Sequence, residues 1–191
     1  GAFRSQYIHS LCGKLLRLDP ATGHGLPSNP YWDGDPMSVR SRVWAYGLRN
    51  PYRFTVRPNT GSTDPADGRP GQLFIGEVGW YQVEEVNVST NGGENFAWPC
   101  FEGFGSTDQY TNLPQATRWL CDSIGTVNNP AASYTFPQLA MHHSTAALST
   151  PPGFTGNASI GGAFYEGSLY PVKYRDRYFA LEFGQSWMNT M

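Results

Sequence analysis

Short runs of apolar and aromatic residues recur along this chain, and most of them end in a turn rich in Pro, Gly, Asn or Asp. Lys14–Leu18 is followed by Asp19-Pro20-Ala21-Thr22-Gly23, and Phe54–Val56 is followed by Arg57-Pro58-Asn59-Thr60-Gly61. In such turns the proline presets φ and the glycine supplies the left-handed position. The pattern therefore predicts short β-strands joined by tight turns.

The composition supports an all-β chain. Among 191 residues, 22 are glycine and 15 are proline, so few stretches of about ten residues remain free for a helix, and a helical bundle is excluded. The 11 phenylalanines, 11 tyrosines and 6 tryptophans supply material for a hydrophobic core. A chain of this composition is not a disordered segment.

A longer pattern occurs twice. Leu73–Gly79 resembles Tyr178–Gly184, and Trp80 and Trp187 follow the two copies. The copies lie about 105 residues apart, somewhat over two of the ~40–50-residue units typical of propeller blades. We therefore predict an all-β fold of the β-propeller class, with chance similarity of two strand–turn units as the alternative.

The number of blades follows from the length. At that unit size the chain holds about three to four blades, in a single partial propeller domain over residues 1–191. The first strand unit begins near the first residue and the last motif runs into Met191. We therefore expect an incomplete piece of a larger propeller rather than a small closed one.

The net charge and the hydropathy of the chain exclude two kinds of partner. The formal net charge of -2 and the sequence pI near 6.1 argue against a general nucleic-acid binder, which would show a basic surplus. No apolar run reaches the ~18 residues needed to span a bilayer. The sequence therefore predicts neither a nucleic-acid partner nor a membrane span.

The three cysteines do not have the spacing of a zinc site. Cys100 and Cys121 flank a loop rich in Gly, Thr, Asp and Asn, and we predict a disulfide that closes this loop over residues 100–121. Such a bridge would stabilise the fold by ~3 kcal/mol and is typical of an oxidising compartment. The alternative is three buried thiols. Cys12 is either free or paired with a residue outside this chain.

The strongest local signal for chemistry is the aromatic run Val43–Phe54. Arg49 and Asn50 stand at a break between strand and loop that Pro51 determines. An arginine at such a break can present its planar guanidinium to a carboxylate or a quinone oxygen, and Asn50 offers a donor and an acceptor. The alternative is an arginine stacked on neighbouring aromatic rings as a structural cation–π contact.

A second signal follows the strand that ends at Gly79. Main-chain carbonyls of a glycine turn and nearby carboxylates, here Glu84 and Glu85, are ligands that Ca²⁺ accepts. The alternative is that one of the two glutamates is solvated and the other is hydrogen-bonded at the start of a strand.

Five motifs occur in order along the chain, and together they carry a resemblance to a known family. They lie at Gly13–Arg17, Tyr46–Pro51, Gly76–Gly79, Glu84–Asn87 and Gly92–Pro99. Their order resembles that of the glucose/sorbosone dehydrogenase family of quinoprotein sugar dehydrogenases. The later segments Ile160–Tyr165 and Tyr178-Phe179 are similar to that family's next blade.

The resemblance implies part of a six-bladed β-propeller that binds pyrroloquinoline quinone (PQQ) and Ca²⁺. It implies that Arg49 contacts the quinone with Asn50 alongside. It also implies that the main-chain oxygens of Gly79 and Trp80 are ligands of the Ca²⁺ at the cofactor, and that Glu85 is a ligand of a second, structural Ca²⁺. We therefore expect a quinoprotein oxidoreductase that acts on an aldose or related polyol.

In the mechanism that the resemblance implies, a histidine takes a proton from the anomeric hydroxyl of the sugar. That histidine lies upstream of the Gly-Lys strand in the family, outside this chain. His142 and His143 are the candidates for a substitute base, and an exposed or structural pair is the favoured interpretation. The implied partners are a small-molecule sugar, an external electron acceptor and the missing blades, in a secreted or periplasmic protein.

Two other functions stay open at this point. A propeller relative can keep the scaffold without the chemistry, which makes the chain a binding or structural module. A Ca²⁺-dependent lactonase-type hydrolase is a further possibility, suggested by Glu77 and Glu182 in equivalent strands of two units.

Overall fold

The structure is a computed structural model that describes residues 1–115, 121–122, 134–143 and 155–183. The helices whose two ends lie within these ranges have three or four residues each. They are the α-helices α1 (Val39–Arg42) and α2 (Asp108–Thr111) and the 3₁₀ helices Ala2–Ser5, Pro65–Asp67 and Val172–Tyr174. For the residues that the structure describes, the prediction that glycine and proline leave no room for long helices is confirmed. None of the helices in the described ranges is long and apolar enough to cross a membrane.

In the described part of the chain, ten strands make up the rest of the bounded regular structure. They are β1 (Lys14–Leu16), β2 (Val43–Tyr46), β3 (Pro51–Val56), β4 (Leu73–Glu77), β5 (Val83–Ser89), β6 (Phe101–Glu102), β7 (Gly105–Ser106), β8 (Leu139–His142), β9 (Ser159–Phe164) and β10 (Tyr178–Glu182). Both copies of the longer sequence pattern form strands, β4 and β10. Gly184 and Trp187, which close the second copy, lie outside the described residues.

The chain forms two compact units that alternate along the sequence. The first consists of the described residues of 1–49, 62–69 and 91–136, and the second of those of 50–61, 70–90 and 137–191. The first segment of the first unit ends at Arg49, and the first segment of the second unit begins at Asn50.

The first unit is built around β2. This strand is buried along its whole length and pairs antiparallel with β1. The short hairpin of β6 and β7 lies in the same unit. Cys100 and Cys121 form the predicted disulfide and pack with Ala97 in a small core cluster. Cys12 is a free, exposed thiol.

The second unit contains a four-stranded antiparallel sheet in the order β3-β4-β5-β8, and a separate pair of β9 with β10. Phe74 of β4 packs against Phe164 of β9 and Tyr178 of β10, with ring centroids 4.9 and 4.8 Å away. Burial raises the pKa of the Tyr178 hydroxyl to about 12. A Cβ on Gly76 would collide with the backbone nitrogen of Gly161, so the close approach of β4 to β9 requires a glycine there.

Candidate functional site

The turn that carries Arg49 is held by backbone hydrogen bonds from two distant segments of the first unit. The Gly47 N–H donates to Ser5 O over 3.1 Å, and the Leu48 N–H donates to Gly13 O over 3.1 Å. The Trp98 N–H in turn donates to Gly47 O over 2.9 Å. The conformation just before Arg49 is therefore determined by the N-terminal segment and by the segment around Trp98.

Gly47 itself cannot be replaced without strain. Its φ is 78°, in the left-handed region, and a Cβ would collide with Asn95 Oδ1. That oxygen accepts a hydrogen bond of 2.9 Å from Gln6 Nε2, and Asn95 Nδ2 returns one of 2.9 Å to Gln6 Oε1. Two buried neutral amides thus pair next to the turn.

The Arg49 guanidinium lies over the ring of Trp98, 5.5 Å from its centroid. The Trp98 side chain is buried and Arg49 is half-buried. The cation–π contact considered from the sequence is therefore present. A stacked guanidinium keeps its charge and its edge donors, so the contact also holds the group in one orientation from which it can bind an anion.

In the second unit, two buried carboxylates share one amide. Asn87 Nδ2 donates to Glu77 Oε2 and to Glu85 Oε2, both over 2.8 Å. Glu77 is 3% exposed, Glu85 is 7% exposed and Asn87 is fully buried. Glu77 Oε1 also accepts a hydrogen bond of 3.3 Å from the backbone N–H of Asn50. The cluster therefore lies where β3 begins and β4 ends.

The sequence interpretation that one of Glu84 and Glu85 is solvated is wrong. Glu84 is fully buried and Glu85 nearly so. Adjacent residues of a strand point to opposite faces of the sheet, so both faces of β5 are covered here. Each carboxylate has hydrogen-bond donors within the second unit, which is how a buried charge is accommodated.

The turn after β4 contains both residues predicted to bind calcium through their carbonyls. The Gly79 N–H donates to Glu84 Oε2 over 3.0 Å. The next residue, Trp80, is 39% exposed, and its ring lies 6.2 Å from that of Tyr81. One strand, β5, thus supplies the carboxylate that holds this turn and also Glu85 of the neighbouring cluster.

His142 is the last residue of β8, and His143 follows it directly. His143 Nε2 is 2.6 Å from Glu84 Oε1, and its Nδ1 is 3.1 Å from Tyr81 O. Because both ring nitrogens of His143 have a protein partner, neither is open to a substrate in this arrangement. The catalytic roles of the two histidines stay predictions.

The side chains around Glu77 and Glu85 can be compared with the oxygen ligands that a hard cation such as Ca²⁺ requires. Within the described ranges, no three His, Cys, Asp or Glu side chains lie close enough together to hold a metal ion. The cluster of Glu77, Glu85 and Asn87 nonetheless contains only oxygen and amide groups, and Asn87 Oδ1 is a buried acceptor with no hydrogen-bond partner. Ca²⁺ binds carboxylate and amide oxygens of this kind, so the residues fit such an ion.

The structure therefore places the predicted residues in two sets. Arg49 belongs to the first unit, and Asn50, Gly79, Trp80, Glu85, His142 and His143 belong to the second. The roles of Gln6 and Asn95 beside Gly47 were missed, because a polar residue outside any strand pattern gives no local sign of burial. Asn87 was named only within a motif, although a buried-strand pattern interrupted by Glu and Asn is itself a signal.

Comparison with solved structures defines the class of protein. An aldose sugar dehydrogenase from Streptomyces coelicolor, solved in its PQQ-bound form, superimposes with a TM-score of 0.52 at 23% identity, covering 87% of this chain and 34% of that one. A structure described as glucose dehydrogenase gives a TM-score of 0.51 at 24% identity, covering 94% of this chain and 40% of that one. These likenesses show the fold, which is all-β and of the β-propeller class.

Sequence comparison then gives the family. The model of the family described as Glucose / Sorbosone dehydrogenase matches residues 2–176, and the chain belongs to that family. HIPL1 protein from Arabidopsis thaliana is 28% identical over 183 residues, covering 87% of this chain. Aldose sugar dehydrogenase YliI from Escherichia coli (strain K12) is 28% identical over 95 residues, covering 50% of this chain. This chain spans 22% of the length of each of these two relatives.

Proposed function

We propose that this chain is part of a quinoprotein oxidoreductase that oxidises an aldose or related polyol with PQQ and Ca²⁺. Family membership supports the reaction class, and a structural relative is an aldose sugar dehydrogenase in its PQQ-bound form. The single observation that supports particular site residues is the Arg-Asn-Pro turn at 49–51. Its guanidinium is oriented by Trp98.

Each proposed ligand group has a chemical reason. PQQ is an anionic quinone, and the fork of Arg49 with the amide of Asn50 would hold its oxygens. The carbonyl oxygens of Gly79 and Trp80 would hold the Ca²⁺ at the cofactor, and Glu85 would hold a second, structural Ca²⁺. When bound, PQQ with Ca²⁺ supplies a two-electron acceptor for the hydride that leaves the sugar.

The protein's own contribution is positioning and charge. Arg49 places a cation where negative charge develops, and this stabilisation costs little reorganisation because the turn around it is already fixed. Proton removal from the sugar hydroxyl requires a base, and His142 and His143 stay the candidates. The two contacts of His143 favour a positioning role for that residue.

The same proposal covers location and partners. The protein is secreted or periplasmic, which agrees with the Cys100–Cys121 disulfide. Its partners are a small-molecule sugar, an external electron acceptor and the remaining blades of the propeller. The share of its relatives that this chain spans, 22%, supports the last of these.

Arg49→Ala tests the proposal directly. We expect isothermal titration of the 191-residue chain with PQQ in Ca²⁺ buffer to show saturable heat, and the variant to bind at least about tenfold more weakly because it lacks the fork. The thermal midpoint should change little, since Gly47 and Pro51 determine the turn and the lost cation–π contact is worth about 0.5–1 kcal/mol.

The matched control is Arg53→Ala, which removes an exposed arginine that lies over Tyr52, 5.4 Å from the ring centroid. It should bind PQQ like the wild type. Equal affinity of the Arg49 variant and the wild type would refute the role of Arg49. If the wild type gives no saturable heat with Ca²⁺ or with EDTA, the chain is better explained as a binding or structural module.

A further inference from the structure

Glu84 connects three segments that are far apart in the sequence. Its Oε2 accepts the Gly79 N–H over 3.0 Å and the Ser159 N–H over 2.7 Å, and its Oε1 is 2.6 Å from His143 Nε2. Glu84 and Ser159 are fully buried. A single carboxylate therefore joins the turn after β4, the start of β9 and the end of β8.

The burial makes these contacts consequential. Two backbone N–H groups that converge on one buried point need an acceptor there, since a buried donor without one costs the full desolvation penalty. The Glu84 carboxylate is the acceptor for both of these N–H groups. Its neighbour Glu85 contacts Asn87 instead.

His143 forms further hydrogen bonds with the turn that contains Gly79. His143 Nδ1 faces Tyr81 O over 3.1 Å, and because a carbonyl oxygen can only accept, Nδ1 carries a hydrogen. The backbone N–H of His143 donates to Gln82 O over 2.8 Å. Residues 79, 81 and 82 of the turn are thus bound, directly or through His143, to one side chain.

We infer that Glu84 is a positioning residue that holds the Gly79 turn in the conformation in which its carbonyls can bind a cation. The part of this inference that concerns the cation rests on the proposed function. The part that concerns the turn does not, because it follows from hydrogen bonds that exist without any ligand.

The first experiment measures the turn alone. In Glu84→Ala, amide hydrogen exchange at Gly79 and Ser159 should speed up together, by about tenfold or more relative to other amides of β4 and β5, since both lose the same charged acceptor. In Glu84→Gln, the exchange rates at Gly79 and Ser159 should stay close to those of the wild type. The amide oxygen can accept both N–H groups, and the amide nitrogen can donate to Nε2 of a neutral His143 ring whose hydrogen is on Nδ1.

The matched control is Met141→Ala. Met141 is 2% exposed and lies directly opposite Glu84 in β8, but it gives the turn no acceptor. It should lower the thermal midpoint without a selective change at Gly79 and Ser159. If Glu84→Ala does not yield folded protein, Glu84→Asp replaces it, because it withdraws the carboxylate by one methylene and should show the same paired increase.

The second experiment titrates the same variants with PQQ in Ca²⁺ buffer. Glu84→Ala or Glu84→Asp should bind at least about tenfold more weakly, and Glu84→Gln within about threefold of wild type. Unchanged exchange at both amides, or a uniform increase matching that of Met141→Ala, would overturn the inference. Absence of PQQ binding to the wild type, with the paired exchange effect present, would overturn the proposed function and leave the role of Glu84 in the turn supported.

Discussion

The turn that carries Arg49 and the turn that carries Gly79 both lie beside buried polar side chains, but the two sets of side chains differ in charge. Beside Arg49 the buried groups are the neutral amides of Gln6 and Asn95 together with backbone hydrogen bonds. Beside Gly79 they are the carboxylates of Glu77, Glu84 and Glu85.

The difference has an energetic consequence. A buried neutral hydrogen bond contributes modestly, and its loss leaves a neutral group unsatisfied. A buried carboxylate that loses its donors remains as an uncompensated charge in a medium of low dielectric constant. The second unit is therefore expected to be the more sensitive of the two to a single polar substitution, and the more responsive to a cation.

The largest effect should come from Asn87→Leu. The substitution keeps the side chain's approximate volume but removes the amide that Glu77 and Glu85 share, and we expect a loss of about 3–5 kcal/mol in the free energy of unfolding. Urea denaturation followed by far-UV circular dichroism measures it. A loss below about 1 kcal/mol would mean that the two carboxylates do not depend on Asn87.

Removal of the disulfide should have a smaller effect, confined at first to the unit that contains it. The double variant Cys100→Ser/Cys121→Ser opens a bridge with a sequence separation of 21, and chain entropy predicts a loss of about 3 kcal/mol. Hydrogen exchange should rise around residues 97–107 before it rises in β4 and β5. An equal rise in both units would show that they unfold together.

The smallest effect should come from Asn95→Leu, the neutral counterpart of Asn87→Leu. Asn95 is 2% exposed and exchanges two hydrogen bonds with Gln6, and their loss should cost about 1–3 kcal/mol. The same urea experiment compares it with Asn87→Leu. If the Asn95 variant proves as unstable as the Asn87 variant, charge is not what distinguishes the two turns.

Much of the local structure could be predicted from the sequence, because it depends on residues close together in the chain. The strands at 73–77 and 178–182 follow from short apolar runs that end in turns. The absence of long helices from the described residues follows from the frequency of glycine and proline. The Cys100–Cys121 pairing was also predictable, since the two cysteines flank a loop rich in Gly, Thr, Asp and Asn. The order of the five motifs indicated the family that the family model then showed.

The arrangement of the buried polar groups was not predictable in the same way. Glu84 and Glu85 are adjacent charged residues, and sequence alone favours at least one of them in water. Both are buried because both faces of β5 are covered, and the contacts of Glu84 with His143 and Ser159 come from segments far along the chain.

By itself, the sequence of this protein determined an all-β chain, its turns, its disulfide and its family, because those properties depend on residue types and their spacing. Only the tertiary structure decided that Trp98 lies under Arg49 and that Glu84 binds Gly79, Ser159 and His143. Except for the contact of Glu84 with Gly79, these contacts join residues distant in sequence, and their strength comes from exclusion of water, which no local pattern records.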